Sequence, residues 1–317
     1  MPSIVRLSMI MKWKIDKKES GIPLGHYITR QVKETCSARS VKRMIEKGSA
    51  RLNGKLEYFS SVKLKPGDVI EFRPVHDTIK PAEFAPSNLL YEDDILLVIN
   101  KTAGYSVESS RSDRTSIFIP LRQMIPHADT FILLHRLDKE TSGVLALVKN
   151  PDREKYFTDQ FRNHTARKIY HALVEGIPRR KESELVNYLG VIGKKFSVDK
   201  WGPMPPPFGK KAITRYRILN KYKQASFLEL KPLTGRTHQI RAQLAIIGHP
   251  IIGDTLYGNP YSLILPACRQ MLHASQLTIC HPSKGQISFA APLPDDFLEK
   301  QSKLAFCFRS GRKIETR

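Results

Sequence analysis

Residues 135–150, HRLDKETSGVLALVKN, decide the fold of this chain. Their second half contains a continuous apolar run, Val144–Val148, and another apolar run, Phe131–Leu134, comes directly before them. Short apolar runs bounded by polar residues are typical of buried strands. The sequence therefore predicts a strand, a loop and a second strand, with Asp138 in the loop and a buried strand on each side of it.

The segments around this motif contain more predicted strands than helices. Apolar runs or alternation predict strands in DDILLVINK (93–101), RKIYHALVEG (167–176), AITRYRIL (212–219) and ASFLELKPL (225–233). Helical spacing predicts helices in DREKYFTDQF (152–161) and THQIRAQLAIIG (237–248). Because strands outnumber helices and the helices lie between them, we expect an α+β fold with a mixed, mainly antiparallel sheet.

The same patterns predict helix ends and buried faces. For the helix at 237–248 we expect Thr237 as the N-cap and Gly248 as the stop. The side chains expected to face the core are Tyr156, Phe157 and Phe161 of the first helix, Ile240, Leu244 and Ile247 of the second, and Tyr170, Ala172 and Val174 of the strand at 167–176.

A different pattern, two helices followed by a hairpin, occupies the N-terminal part. Helical spacing covers Leu24–Gln31, and the next helix is expected to have Ser40 as its N-cap and Gly48 as its stop. Its inner face would carry Val41, Met44 and Ile45. Asn53-Gly54 favours the positive φ of a tight hairpin turn, and a further strand follows at 69–72. This pattern predicts a small α/β domain.

These patterns divide the chain into five parts. We expect an N-terminal segment at 1–20, the small domain at 21–74, a proline-containing linker at 75–87, the large domain at 88–300 and a basic C-terminal tail at 301–317.

The composition favours a nucleic-acid partner. The chain has 317 residues, a formal net charge of +22 and 41% hydrophobic residues, so a core can form around a strongly basic surface. Polyanions relieve the self-repulsion of such a surface. The candidate RNA-binding residues of the small domain are Arg39, Lys42, Arg43, Lys47 and Arg51. The plain alternative is a solvated basic helix face on a soluble protein.

Several other classes fit the sequence poorly. The apolar runs have strand length and cannot span a bilayer, and residues 1–18 lack a signal-peptide core. The four cysteines are scattered, which is typical of reduced thiols in a cytoplasmic protein. No histidine or cysteine pair has metal-ligand spacing, and no glycine-rich loop has nucleotide-binding spacing. We therefore expect neither a metal nor a nucleotide cofactor, and nothing indicates an obligate protein partner.

The HRLDKETSG loop carries the main chemical signal. A carboxylate beside an arginine stays ionised, so Asp138 next to Arg136 could act as a nucleophile or a base towards a sugar. Glycosidases need two flanking carboxylates, and no convincing second acid is apparent. On this motif alone, a structural ion pair within the loop is the commoner explanation.

Two further residues are candidates with plain alternatives. Arg241, in TGRTHQIR, could pair with Asp138 or a phosphate, or it could be a surface arginine on an amphipathic helix. Tyr170, beside Arg167 and Lys168, could stack on an extruded base, although strand aromatics are more often core residues.

Taken together, these segments closely resemble the RluA family of pseudouridine synthases. The matching stretches begin at residues 91, 135, 167 and 233 with YEDDILLVINKTAG, HRLDKETSGVLALVKN, RKIYHALVEG and LTGRTHQIRAQLAIIGHPIIGDTLYG, and a tail match follows in LHASQLTICHPSKGQISFAAPLPDDF. Residues 24–73 resemble the alpha-L module, a small RNA-binding domain shared with a ribosomal protein. The resemblance implies a cofactor-free, cytoplasmic enzyme that isomerises uridine in RNA.

The resemblance also implies roles for single residues. Asp138 matches the catalytic aspartate, and Arg136 the arginine that fills the gap left by the extruded uridine. Tyr170 matches the tyrosine that stacks on the base and assists proton removal at its 5-carbon, and Arg241 matches the arginine that pairs with the catalytic carboxylate. Whether Asp138 attacks the anomeric carbon or removes a proton from the neighbouring carbon stays open.

The substrate implied by the resemblance is RNA, with large-subunit ribosomal RNA first and transfer RNA second. A non-catalytic RNA-binding or ribosome-assembly protein on the same fold, and a glycoside hydrolase, are the alternatives from other classes. The chain departs from the family pattern at Thr102, where proline is usual, and at Glu140, where aspartate is common. The match is weak at 190–208, and GPMPPPF at 202–208 is expected to be a variable loop that influences the choice of substrate.

Overall fold

A computed structural model describes residues 10–33, 36–46, 48–73, 83–107, 115–195, 198–258, 265 and 267–309. Lys47 and most of the expected linker lie outside these residues. Within the described part of the chain, no helix is both long and apolar enough to cross a membrane.

The N-terminal part forms a four-stranded antiparallel sheet with two helices. Its elements are β1 (Met11–Lys14), α1 (Leu24–Gln31), α2 (Ala38–Glu46), β2 (Ala50–Leu52), β3 (Lys55–Glu57) and β4 (Val69–Phe72), and the strand order is β1-β4-β2-β3. Leu24, Ile28, Val41 and Ile45 of the two helices are completely buried, and they pack on one apolar cluster with the sheet. Because β1 pairs with β4, residues 11–14 belong to this sheet, although we expected residues 1–20 to be a separate segment.

Local rules predicted the turn of this part correctly and one cap incorrectly. Asn53 and Gly54 have φ values of 52° and 78°, as a tight hairpin turn requires. The expected N-cap Ser40 is wrong, because the helix begins at Ala38 and the Ser37 hydroxyl accepts a hydrogen bond from the Ser40 N–H at 3.2 Å. Ser37 is the better cap because its side chain reaches the third N–H of the helix.

The larger part is built on one sheet of eleven strands. Its elements are β5 (Leu89–Glu92), β6 (Leu96–Lys101), α3 (Phe118–Met124), β7 (Ile132–Leu133), β8 (Ser142–Val148), α4 (Glu154–Arg162), β9 (Arg167–Glu175), β10 (Glu182–Lys195), β11 (Val198–Pro203), β12 (Lys210–Lys221), β13 (Ala225–Pro232), α5 (Gln239–Ile246), β14 (Leu272–His281), β15 (Gly285–Ala290) and α6 (Asp295–Arg309). The strand order is β11-β10-β12-β13-β9-β14-β8-β6-β5, with β15 beside β14 and β7 beside β8.

All pairings of this sheet are antiparallel except that of β14 with β8. The expected α+β class with a mixed, mainly antiparallel sheet is therefore confirmed. The parallel pair requires a glycine, because a Cβ on Gly143 would lie 2.1 Å from the carbonyl oxygen of Ala274. This close approach brings β14 beside the loop that precedes β8, and that loop contains Asp138.

Two expectations for the large part need correction. Tyr156 does not face the core with Phe157, because it is 39% exposed. A tail does not begin at residue 301, because α6 runs to Arg309 and buries Leu304 in the main core.

A buried arginine ties α6 to the centre of this sheet. The guanidinium of Arg269, only 2% exposed, donates to both carboxylate oxygens of Asp296 at 2.6 and 2.8 Å. Its Nη1 also donates to the carbonyl oxygens of Glu140, Gln270 and Leu272. One side chain therefore holds the start of α6, the start of β14 and the Asp138 loop together.

We expect Arg269→Met to lower the free energy of unfolding by about 3 kcal/mol, because it leaves buried carbonyl groups and Asp296 without their donor. Urea unfolding measures this change. The matched control is Arg215→Met, which removes an arginine that also lies 2.7 Å from a carboxylate but is 63% exposed. The control should change the free energy of unfolding by no more than about 0.5 kcal/mol, and equal losses in the two variants would contradict the assignment.

Candidate active site

A pocket lies at one end of the central strands. It encloses about 450 Å³ and is lined by the Asp138 loop, by the end of α4, by β9 and by the segment from β13 into α5. Its basic lining residues are Arg136, Arg162, Lys168, Arg236 and Arg241. The pocket therefore combines one ionisable carboxylate, Asp138, with a strongly cationic wall.

The loop that carries Asp138 is fixed from below by a buried lysine. Lys101, at the end of β6, is fully buried and donates to the carbonyl oxygens of Thr102, Tyr105 and Lys139 at 3.0 to 3.1 Å. Burial, followed by the nearby Arg269, lowers the pKa of Lys101 to about 7. The three carbonyl contacts use all the hydrogens of an ammonium group, and through them Lys101 holds the loop in place.

Arg241 joins Asp138 to a second, deeper carboxylate. Its Nη1 donates to Oδ2 of Asp138 at 2.7 Å, while its Nε and Nη2 donate to Asp254 at 2.7 and 3.0 Å. Asp254 has no exposed side-chain surface and accepts two backbone N–H groups, from Leu256 and Tyr257. The guanidinium is therefore fixed by Asp254 and presents its Nη1 to Asp138.

The electrostatic surroundings keep Asp138 ionised. Burial alone would raise its pKa, but the charge of Arg241, with contributions from His238 and Gln270, holds the pKa of Asp138 below its usual value. The side chain keeps a quarter of its surface exposed to the pocket. At neutral pH the site therefore contains a carboxylate that is charged, held and accessible.

The two oxygen atoms of Asp138 have different environments. Oδ2 accepts from Arg241 and, at 3.3 Å, from the amide of Gln270. Oδ1 has no hydrogen bond from the described residues, and its neighbour is Nε2 of His238 at 3.9 Å. One oxygen is therefore anchored and the other is open to a ligand.

Tyr170 faces this carboxylate from β9. It lies opposite Ala274 and Leu230 in the sheet, lines the pocket and is 9% exposed. Burial, and then the charge of Asp138, raise the pKa of Tyr170 well above its usual value. The phenol therefore keeps its proton at neutral pH, and the ring offers a wall on which a base can stack.

The remaining candidates lie in different places. Arg136 is exposed in the pocket lining, and Arg39, Lys42 and Arg43 are exposed on one face of α2. Arg51, on β2, is half-buried, so it is less accessible to a large ligand.

The expected N-cap Thr237 is wrong. Helix α5 begins at Gln239, and the residue before it, His238, has a left-handed backbone with φ of 53°. The Gln239 side chain accepts from the Arg236 N–H at 3.0 Å and from the Thr234 hydroxyl at 2.7 Å. This arrangement turns the chain so that His238 and Arg241 both face Asp138.

Sequence reasoning missed two residues of the site, Gln270 and Asp254. It also missed that His238 lies beside Asp138. Gln270 lies 132 residues from Asp138 in the chain, and no local pattern connects the two. For Asp254, the available signal in the sequence was its place in the Gly253-Asp254 pair shortly after the predicted helix. Among the described residues, no three His, Cys, Asp or Glu side chains come together as metal ligands.

Comparisons with known proteins define the class. A family model described as RNA pseudouridylate synthase matches residues 95–246. Ribosomal large subunit pseudouridine synthase C of Vibrio parahaemolyticus is 32% identical over 90% of this chain and 93% of its own length. Ribosomal large subunit pseudouridine synthase D of Zymomonas mobilis is 30% identical over 90% of this chain and 91% of its own length.

Solved structures agree with these sequence matches. The structure of human RNA pseudouridylate synthase domain containing 1 superposes with a TM-score of 0.57, at 25% identity, over 67% of this chain and 86% of that protein. The fold is thus that of an enzyme that isomerises uridine in RNA. The chain belongs to the pseudouridine synthases of the RluA family, and the resemblance recognised from its motifs is confirmed.

Gln270 is expected to act as a positioning residue for Asp138. Gln270→Leu removes one donor to the carboxylate, so the pKa of Asp138 should rise and the acid limb of the kcat/KM profile should move to higher pH. The loss of one hydrogen bond should also lower kcat about tenfold.

The matched control for this prediction is Gln160→Leu. The amide of Gln160 bonds the backbone of Cys280 and does not contact Asp138. The acid limb of the kcat/KM profile of Gln160→Leu should coincide with that of the unmodified protein. A Gln270→Leu profile that keeps its acid limb would remove Gln270 from the account of the site.

Proposed function

We propose that this chain converts uridine to pseudouridine in large-subunit ribosomal RNA, with Asp138 as its catalytic residue. The observation that carries the proposal is the ionised carboxylate of Asp138, which has one anchored and one open oxygen in a cationic pocket. The names of the relatives from Vibrio and Zymomonas support the choice of RNA. Such RNA is found in the cytoplasm, so we expect the protein to act there.

The reaction begins with extrusion of the target nucleotide. A uridine within a helix cannot present its sugar to a side chain, so it must leave the stack at a cost of a few kcal/mol. Arg136, exposed at the pocket, is placed to fill the gap and offset part of that cost. Tyr170 supplies the surface on which the extruded base stacks.

The chemistry then needs only the open oxygen of Asp138. Oδ1 either forms a bond to the anomeric carbon or removes a proton from the neighbouring carbon, and in both cases the bond from the sugar to N1 of uracil breaks. The uracil rotates in the pocket and a bond forms from the anomeric carbon to C5, as the bond to Asp138 breaks or as the proton held by Asp138 returns to the neighbouring carbon. C5 then loses its proton to solvent, and N1 gains one from solvent. Because Tyr170 is protonated, its proposed role in the resting enzyme is stacking rather than proton removal.

The alternative of a glycoside hydrolase finds no support in the geometry. A hydrolase needs a second carboxylate beside the bond that breaks. Asp254, the carboxylate that shares Arg241 with Asp138, has no exposed side-chain surface and is occupied by Arg241 and two backbone N–H groups. It cannot supply a proton to a leaving group.

The small N-terminal domain is proposed to bind RNA through α2. Arg39, Lys42 and Arg43 are exposed on one face of this helix, while Val41, Met44 and Ile45 face the core. Lys47, which we grouped with them, lies outside the described residues. The three described side chains form a compact cationic surface suited to phosphate groups.

Asp138→Asn should abolish pseudouridine formation, because the amide is neither a nucleophile nor a base. The mutant should still bind RNA, since the cationic wall and α2 are unchanged. Tritium release from RNA labelled at C5 of uridine measures the reaction. Sequencing of pseudouridines in cells with the gene, without it and with the variant identifies the RNA.

The matched control for Asp138→Asn is Glu140→Gln, which neutralises another carboxylate of the same loop and should keep activity. Undiminished tritium release by Asp138→Asn would refute the catalytic assignment. A site lost from transfer RNA, with ribosomal RNA unchanged, would replace the proposed substrate. Binding of RNA without any modified uridine would favour a non-catalytic protein.

Replacing Arg39, Lys42 and Arg43 together with Ala should weaken binding to long RNA and flatten its salt dependence. The slope of log K against log salt is negative, and each lost phosphate contact reduces its magnitude by about 0.7 to 0.9. The control is Lys221→Ala with Lys223→Ala, two exposed lysines at the opposite end of β13 from the pocket. Equal salt slopes for the α2 variant and the unmodified protein would exclude this surface from RNA binding.

A further inference from the structure

His238 faces the open oxygen of Asp138 across a short gap. The two atoms, Nε2 of His238 and Oδ1 of Asp138, are 3.9 Å apart, which is too far for a direct hydrogen bond. The histidine side chain is 12% exposed and lines the pocket. An oxygen atom of a ligand can lie within hydrogen-bond distance of both atoms at once.

The protonation of His238 follows from its surroundings. Burial lowers its pKa below the ordinary value, although Asp138 opposes this effect, so the ring is neutral at neutral pH. A neutral imidazole has one N–H donor and one nitrogen acceptor. Which nitrogen carries the proton therefore decides what the gap beside Asp138 can bind.

Tyr257 contacts the other ring nitrogen of His238. The Tyr257 oxygen accepts the backbone N–H of Trp201 at 2.9 Å and lies 3.1 Å from Nδ1 of His238. Burial raises the pKa of Tyr257 to about 12, so its hydroxyl keeps a hydrogen to donate. Among the described residues, Nδ1 of His238 is the acceptor within reach of this hydroxyl, and a hydroxyl that donates to Nδ1 requires the imidazole proton to lie on Nε2, which faces Asp138.

The gap is therefore bounded by one donor and one acceptor. Within a uridine of an RNA chain, the base offers N3–H as a donor and O2 and O4 as acceptors, on separate atoms. The 3′ and 5′ oxygens are esterified and cannot donate. The 2′-hydroxyl alone donates and accepts through one atom, and it lies beside the carbon atoms on which Asp138 would act.

We propose that Nε2–H of His238 and Oδ1 of Asp138 together hold the ribose 2′-hydroxyl of the extruded nucleotide, so that His238 distinguishes RNA from DNA at this site. This assignment rests on the proposed function, because it needs a uridine in the pocket. The hydroxyl accepts from His238 and donates to Asp138. Tyr257 acts behind His238 as a positioning residue, and the β10–β11 hairpin reaches the site through the N–H of Trp201.

The test uses a synthetic RNA stem-loop with the mapped target uridine and the same stem-loop with 2′-deoxyuridine at that position. His238→Ala should lower kcat/KM for the uridine RNA about tenfold, through a higher KM or a lower kcat. This is the effect expected from the loss of one hydrogen bond. It should leave unchanged the inhibition constant of the 2′-deoxyuridine RNA, which lacks the hydroxyl. His238→Gln, whose amide N–H can replace Nε2–H, should restore part of the activity.

Two results would overturn the assignment. One is an equal loss of affinity for both RNAs in His238→Ala, which would show a merely structural role. The other is a proton on Nδ1 of His238 in the ¹⁵N spectrum of the histidine-labelled protein, where we expect it on Nε2 and expect Tyr257→Phe to change the ratio of the tautomers.

The control variant is His249→Asn. The Nδ1 atom of His249 lies 2.9 Å from the carbonyl oxygen of Glu175, and His249 does not line the pocket. Its discrimination between the two RNAs should equal that of the unmodified protein. If the unmodified protein fails to convert the uridine RNA, the proposed function fails. That outcome is distinct from an equal loss of affinity for both RNAs in His238→Ala, which contradicts only the assignment of His238.

Discussion

The site depends on one buried guanidinium that is shared by two carboxylates. Arg241 is 7% exposed, and a charge at that depth is stable only when it is paired and hydrogen-bonded. Asp254 meets that requirement by a two-point contact and is itself held by two backbone N–H groups. Because Asp254 already fixes the arginine, the contact with Asp138 positions the carboxylate instead of the cation.

Distant parts of the chain meet at this point through neighbouring residues. Arg269 and Gln270 are adjacent, yet Arg269 holds α6 and the Asp138 loop while Gln270 holds Asp138 and Thr141. The close approach of β14 to Gly143 makes both contacts possible. Helix α6 and the Asp138 carboxylate are therefore connected through two adjacent residues of the chain.

The sequence predicted the elements better than the contacts between them. Apolar runs and alternation identified the strands on both sides of Asp138, because burial leaves a local trace in sequence. The caps Ser40 and Thr237 were misplaced for two different reasons. In the first helix, the Ser37 hydroxyl accepts the N–H of Ser40 and is the cap instead. In the second, the left-handed backbone of His238 moves the start of the helix to Gln239.

Contacts across the sheet leave no comparable trace. Asp138 and Arg241 are 103 residues apart, and their pairing was expected from family resemblance instead of from spacing. Gln270 has an uncharged side chain in an otherwise ordinary strand start, so nothing in its neighbourhood marks it.

The unequal oxygens of Asp138 meet two demands of the proposed reaction. Pairing with Arg241 lowers the pKa of the carboxyl, which makes the carboxylate a weaker nucleophile and base but a better leaving group. If the carboxylate bonds to the sugar, that bond must break again when the uracil rejoins through carbon, so a stable leaving carboxylate favours the second half of the proposed reaction. The first half then relies on placement, because holding the reacting atoms at contact distance compensates for the reactivity that the lowered pKa removes. Anchoring Oδ2 provides that placement while Oδ1, which has no hydrogen bond from the described residues, stays available to the sugar.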